Sequence, residues 1–386
     1  DTGERRRVLS GGSFGRYVPS GHLVYVNRGT LFAVPFDLGR LETTGNPAPV
    51  VQNVTSNVEE GAAQFTFATT GLMAYVRGGP LIPRYPIVWV DREGRTSRLV
   101  DEEGTYANPR LSPDGSQLSL TVLRDGNWDI WVYDLAREVS TRLTFDDGSD
   151  TEQLWSPDGR SLIYSSTREG ADTLFRKAAD GSGQAEQVGK FRNPMWGSSW
   201  SADGRYVLFT TTNPSLDVGI LELGQEPTLL LSTPFSEVDA AISPDGRWIA
   251  YSSDESGRAE VYVRSFEEGG GRWQISDSGG GYARWSGDGR ELFYRTDEGI
   301  MVASIETTGG GLRTSRPRQL FTGAFRGGVG GTTVGGSTFA DYEVSRDGQR
   351  FVMFPVAATA EESRAGLITL INPWFDDLEN TFAPRR

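Results

Sequence analysis

The chain has 386 residues, no cysteine, and 51 acidic against 38 basic side chains, a net charge of −13. Disulfides and thiolate metal sites are excluded, and a nucleic-acid partner is disfavoured by the sign of the charge. The 49 glycines and the many short Val/Ile/Tyr/Phe runs between turns, with no long amphipathic helical pattern, indicate an all-β protein.

In sequence order, Arg5-Arg6-Arg7-Val8-Leu9-Ser10 comes first, a strand-like stretch with no partner in its own repeat. Pro19-Ser20-Gly21 and Thr69-Thr70-Gly71 then precede the apolar runs Leu23–Val26 and Leu72–Val76. Six fuller copies of the same device follow: Ser112-Pro113-Asp114-Gly115, Ser156-Pro157-Asp158-Gly159, Ser201-Ala202-Asp203-Gly204, Ser243-Pro244-Asp245-Gly246, Ser286-Gly287-Asp288-Gly289 and Ser345-Arg346-Asp347-Gly348. Pro presets φ for a tight turn, Asp accepts a backbone N–H just downstream, and Gly supplies positive φ, so each copy reverses a strand.

The turn glycines at 21, 71, 115, 159, 204, 246, 289 and 348 are spaced by 50, 44, 44, 45, 42, 43 and 59 residues. A period of about 40 to 45 with several strands per repeat is the mark of propeller blades. The second strands of the repeats run through Leu31–Phe36, Ile87–Asp91, Asp129–Tyr133, Thr173–Arg176, Val218–Leu221, Glu260–Arg264 and Ile300–Ala303, and the eighth repeat, ending at Gly366–Ile371, is one strand short. The expectation is a single β-propeller over 1–375 with eight four-stranded blades, or seven as the alternative. The strand at 5–10 closes the ring through Val8 and Leu9 in the last blade, and 376–386 forms a polar tail.

The Ser-Pro-Asp-Gly turns and the Ile-Trp-Val-Tyr-Asp strand resemble the TolB-type, PD40 class of WD40-like propellers. Gly29–Asp37, Trp89-Val90-Asp91-Arg92 with Gly94, Ser243–Trp248, Glu260–Val263 and Leu370-Ile371-Asn372 with Trp374-Phe375 resemble more narrowly the propeller ectodomains that follow a membrane helix in bacterial serine/threonine kinases. The resemblance implies an extracytoplasmic sensor or binding module. No kinase catalytic loop is present, because His22, the single histidine, is followed by Leu23. No stretch approaches about 18 apolar residues and no signal-peptide pattern opens the sequence, as expected of a mature or excised ectodomain or of a protein that stays inside.

Gly11-Gly12-Ser13-Phe14-Gly15 and Ser276-Asp277-Ser278-Gly279-Gly280 imitate serine-hydrolase motifs, but both would depend on His22 as base. They read as inter-blade loops, so no catalytic residue and no cofactor is expected. Asp146, Asp147 and Asp150 offer hard oxygens for calcium without EF-hand spacing, and the plainer reading is a solvated acidic loop. The Gly327–Gly336 run lacks the lysine of a phosphate loop and reads as a mobile loop.

If strands run outward in order, the loops entering the first strands share one face, opposite the Ser-Pro-Asp-Gly turns. That loop face is the expected binding site for a protein, peptide or glycan, marked by Arg16, Glu60, Tyr106, Trp128, Asp150, Trp196, Glu237 and Tyr282. The readings of function are a non-enzymatic binding or sensor module, a subunit self-associating by strand exchange of its N-terminal strand, and the regulatory propeller of a prolyl-oligopeptidase-type hydrolase.

Overall fold

The computed structural model describes residues 8, 9, 12–57, 62–78, 80, 81, 84–212, 214–267, 269–308, 311–326, 333, 334, 337, 338, 340–356 and 367–382. Among the described residues the protein is almost entirely β, with one helix at Trp374–Phe382, and the chain divides into two compact units, 1–83 with 358–386 and 84–357.

The 84–357 unit is a ring of six four-stranded antiparallel blades. Blade 1 comprises the 105–111 part of Thr96–Leu111, then Gln117–Arg124, Asn127–Asp134 and Val139–Arg142. Blade 2 is Asp150–Trp155, Ser161–Ser166, Thr173–Ala178 and Glu186–Gly189; blade 3 is Trp196–Trp200, Tyr206–Thr212, Leu216–Glu222 and Thr228–Leu231. Blade 4 is Glu237–Ile242, Trp248–Ser253, Glu260–Ser265 and Arg272–Gln274; blade 5 is Gly281–Trp285, Glu291–Arg295, Gly299–Thr308 and Arg318–Thr322. Blade 6 is composite: Tyr342–Val344 and Arg350–Met353 come from the end of the unit, Tyr85–Asp91 and the 96–100 part of Thr96–Leu111 from its beginning.

This arrangement corrects the expected blade count and closure. Six repeats form the ring, and the strand that pairs with Arg350–Met353 is Tyr85–Asp91, in register from Val88 opposite Met353 to Asp91 opposite Arg350. Val8 and Leu9 carry no strand. Met73–Arg77, expected to share a blade with Ile87–Asp91, instead lies between Phe65–Phe67 and Leu367–Ile371 in the other unit. The vacancy on which strand exchange depended is therefore filled from within the unit. The expected tail also differs: residues 374–382 are helical, with Trp374 and Leu378 buried in the core of their unit beside Val24, Leu31 and Met73. Alternation along the strands dictates this burial, as in His22–Asn27, where Val24 and Val26 point inward.

The six ring turns are built alike. In each, the Ser hydroxyl donates to the Asp carboxylate at 2.5 to 2.7 Å and accepts the N–H five residues on at 2.9 to 3.0 Å. The same carboxylate accepts the N–H just past the glycine. At Asp114 these bonds favour the ionised form and hold the carboxyl down at about 2.

Between each pair of blades lies one apolar layer. Ile130 and Val132 meet Leu162 and Tyr164; Ile163 and Leu174 meet Val207 and Phe209; Leu208 and Val218 meet Ile249 and Tyr251. The series continues through Ala250 and Val263 against Leu292 and Ala303, then Phe293 and Val302 against Phe351 and Met353, and returns through Ile87 and Val352 to Leu118 and Leu120. Six layers that return to the first blade are what close the ring, and burial of each large apolar residue contributes about 1.5–3 kcal/mol. Polar pins supplement them. The innermost strands of blades 1 to 5 each carry a bulge, and in blades 3, 4 and 5 the N–H groups of Gly197, Asp239 and Tyr282 donate there to Ser165, Thr210 and Ser252 of the preceding blade at 3.2 to 3.3 Å.

Candidate functional site

The innermost strands converge on an axial cavity of about 490 Å³ that opens on the face of the Ser-x-Asp-Gly turns. The residue before each turn serine lines its wall: Leu111, Trp155, Trp200, Ile242, Trp285 and Val344, all buried or half-buried. Strand alternation aims these side chains sideways into the gap between blades as well as toward the mouth. Trp155 donates its indole N–H to the carbonyl of Arg110 and Trp285 to that of Ala241, both at 3.0 Å and both across a blade boundary. The rim is the second turn position, with Pro113, Pro157, Ala202, Pro244, Gly287 and Arg346. Arg346 is exposed and reaches the carbonyl of Pro113 at 3.4 Å, and Gly287 donates its N–H to the Arg346 carbonyl at 2.9 Å.

Two ion pairs form the floor. Arg110 donates to Glu343 at 3.0 Å, and Arg284 donates to Asp239 at 2.9 and 3.3 Å. Burial lowers the Arg110 pKa, and the field of Arg284 adds to that; burial also opposes the charge of Arg284, but Asp239 and Glu343 outweigh it and its pKa is raised. Toward the other end of the axis, buried Arg326 donates to the carbonyl of Tyr106 and faces Asp341 at 3.6 Å.

The residues expected to mark the loop face are largely framework. Tyr106 is 1 % exposed and donates to the Glu102 carbonyl, Trp128 is buried, and Trp196 is buried beside Asp172. Asp150 is fully buried and accepts from Arg168, Glu237 accepts from Thr233, and Tyr282 carries a bulge at φ 56° with its carbonyl bonded to Tyr342. Arg16 is exposed in the other unit, over the ring of Phe14 at 4.8 Å, and Glu60 lies outside the described residues, as does the Gly327–Gly336 run apart from residues 333 and 334.

Of the acids weighed for calcium, Asp146 and Asp150 flank Arg168, whose guanidinium stands 2.8 Å from Asp146 and 3.3 Å from Asp150. Among the described residues no cluster of acids and histidine is placed to hold a metal. The hydrolase-like motifs are structural as well. Ser276 is buried, donates to Glu260 and accepts the N–H of Val261, whereas Ser13 is paired in a strand and His22 is held by Ser20 at 3.1 Å. That Trp155, Trp200 and Trp285 line a funnel as well as packing between blades follows from their shared phase, one residue before each turn serine.

A closed ring of six meander blades around an axial funnel defines the 84–357 unit as a β-propeller. Its sequence agrees: residues 73–244 match the PD40 family, the TolB beta propeller domain. The chain is 33 % identical over 179 residues to an uncharacterized protein of Agrobacterium fabrum, covering 45 % of this protein and 59 % of that one. It is 26 % identical over 109 residues to the Tol-Pal system protein TolB of Helicobacter pylori, covering 28 % of this protein and 25 % of that one. The match thus spans less than two thirds of either curated relative. A solved structure from Agrobacterium tumefaciens assigned as a TolB superposes with a TM-score of 0.55 at 20 % identity, over 71 % of this protein and 99 % of that one, a likeness of fold.

Proposed function

We propose that the propeller is a non-catalytic binding module that receives a segment of a partner protein in the turn-face funnel. The observation that carries this is the cavity itself, of about 490 Å³, with three tryptophans and three aliphatic residues on its wall, three prolines and Arg346 on its rim, and two ion pairs at its floor. Concave sites that are aromatic within and polar at fixed points are the usual form of recognition surfaces. An extracytoplasmic location is part of this proposal and rests on the likeness to TolB. The hydrolase and self-assembly readings find no comparable support, since the serine motifs are built into the framework and the last blade is filled from within its own unit.

Site-specific photocrosslinking tests the reading. A crosslinker at Pro244 on the rim should capture a discrete partner in cell-envelope extracts, and Trp285→Ala should weaken capture. A crosslinker at Asn127 on the opposite face serves as the comparison. Capture from Asn127 but not from Pro244 would remove the funnel as the site.

A further inference from the structure

The funnel floor is two-sided in a way that selects what enters it. Blades 4, 5, 6 and 1 contribute the charged half, Asp239, Arg284, Glu343 and Arg110. Blades 2 and 3 contribute Leu154, Ser198 and Ser199. The charges cancel, but hydrogen-bonding capacity does not. Two guanidinium groups carry ten N–H bonds between them on the general inventory of about five each. The Nε atoms of both Arg110 and Arg284 are buried with no acceptor, and so is the hydroxyl of Ser198 on the neutral half. Asp239 already takes two bonds from Arg284, and one terminal nitrogen of Arg284 also donates to the carbonyl of Ala283. The floor is therefore short of acceptors at residues that line the cavity. A buried donor on a charged group left without an acceptor is a large local cost. The field of Arg284 on Arg110 acts in the same direction, because it is relieved by an added anion.

We propose that the floor is a carboxylate receptor, in which a carboxylate of the entering segment accepts from Arg110 and Arg284 on one side and from Ser198 on the other. This rests on the funnel being the binding site and names the chemistry that enters it first. A carboxylate suits two planar forks better than a neutral carbonyl does, because each of its oxygens can accept from a different guanidinium. The tryptophan wall and the proline rim then contact the apolar part of the segment behind it. The carboxylate is supplied either by a free polypeptide terminus or by an Asp or Glu residue.

The probe is acetate, compared with acetamide and chloride at constant ionic strength, on the full-length protein, with unfolding followed by tryptophan fluorescence. Every tryptophan but Trp374 lies in the propeller unit, so the signal reports that unit. Binding to the native state raises the unfolding midpoint by mass action. Acetate should raise it by about 2 °C or more and the two controls should not. Arg284→Met should abolish the effect. Because that variant can lose stability for other reasons, Ser198→Ala, a change of one hydroxyl, should at least halve the shift, and Arg205→Met, away from the funnel, should leave it intact. Acetyl-Gly-Ala-Gly with a free C-terminus, its amide, and acetyl-Gly-Glu-Gly amide then distinguish a terminal carboxylate from a glutamate one by which of them displaces acetate.

An acetate effect that is absent, matched by acetamide, or unchanged in Arg284→Met and Ser198→Ala overturns the proposal. If partner capture from Pro244 persists while acetate has no effect, the carboxylate receptor falls and the funnel as a binding site stands.

Discussion

The buried pair between Asp239 and Arg284 offers the sharpest test of how the ring is held at its axis. Asp239 is 5 % exposed and Arg284 6 %, they lie on adjacent blades, and two hydrogen bonds of 2.9 and 3.3 Å join them. Replacing Arg284 by Met leaves a carboxylate buried without its counter-charge, which costs about 3–5 kcal/mol. Asp239 occupies the left-handed region at φ 51°, so the substitution to make there is Asn, which tolerates that conformation where a branched residue does not. Asp239→Asn removes the opposite charge at little steric cost and leaves Arg284 under-compensated. The double variant has neither charge, so its loss should fall short of the sum of the two singles by about 1–3 kcal/mol of coupling. Urea unfolding followed by tryptophan fluorescence reads this as shifts of the midpoint at constant slope. Loss in the double variant equal to the sum of the singles, within about 0.5 kcal/mol, would show that the pair is not coupled and refute the reasoning.

Arg92 bonds Glu291 at 2.8 and 2.9 Å and the carbonyl of Gly348 at 2.8 Å, tying the start of the unit to blades 5 and 6; Arg92→Met should lower stability by about 1–3 kcal/mol and speed hydrogen exchange in Tyr85–Asp91 ahead of other strands. At Gly287 an added Cβ would collide with the Arg346 stem and stand 2.6 Å from its carbonyl oxygen, so Gly287→Ala should cost about 1–3 kcal/mol, whereas Ala202→Gly, at the matching position of blade 3, should change the urea midpoint far less. The turn aspartates Asp114, Asp158, Asp203, Asp288 and Asp347 have folded-state pKa values below their unfolded ones, so their contribution is complete above about pH 4 and is lost as pH falls toward the folded value, about 2 for Asp114. Asp114→Asn should flatten that acid limb in urea titrations between about pH 4 and pH 2. Burial lowers the pKa of His22, which packs against Phe382 at 4.9 Å. Protonation therefore favours the unfolded state, the 1–83 and 358–386 unit should lose stability as pH drops below about 6.5, and His22→Phe should remove that dependence when the unit is followed by hydrogen exchange.

The sequence by itself determined the repeat, the turn chemistry and the fold class, because these are local. Ser, Asp and Gly within four residues satisfy one another's hydrogen bonds whatever surrounds them, and the strand after each turn alternates its own apolar face. The blade count was not among these: eight turns predict eight blades, whereas the six that carry the Asp lie in the ring and the two that lack it, at 19–21 and 69–71, lie in the other unit. What only the tertiary structure decided was partnership between distant strands. Nothing local distinguishes Tyr85–Asp91 as a partner for Met73–Arg77 from the same strand as a partner for Arg350–Met353, because a backbone ladder forms equally well with either; the choice is made by Ile87 and Val90 fitting the layers on either side of blade 6. The site was hidden for the same reason. Arg110, Asp239, Arg284 and Glu343 are far apart in the sequence and unremarkable in composition, and they become one floor only because ring closure brings the fourth, fifth, sixth and first blades to a common axis.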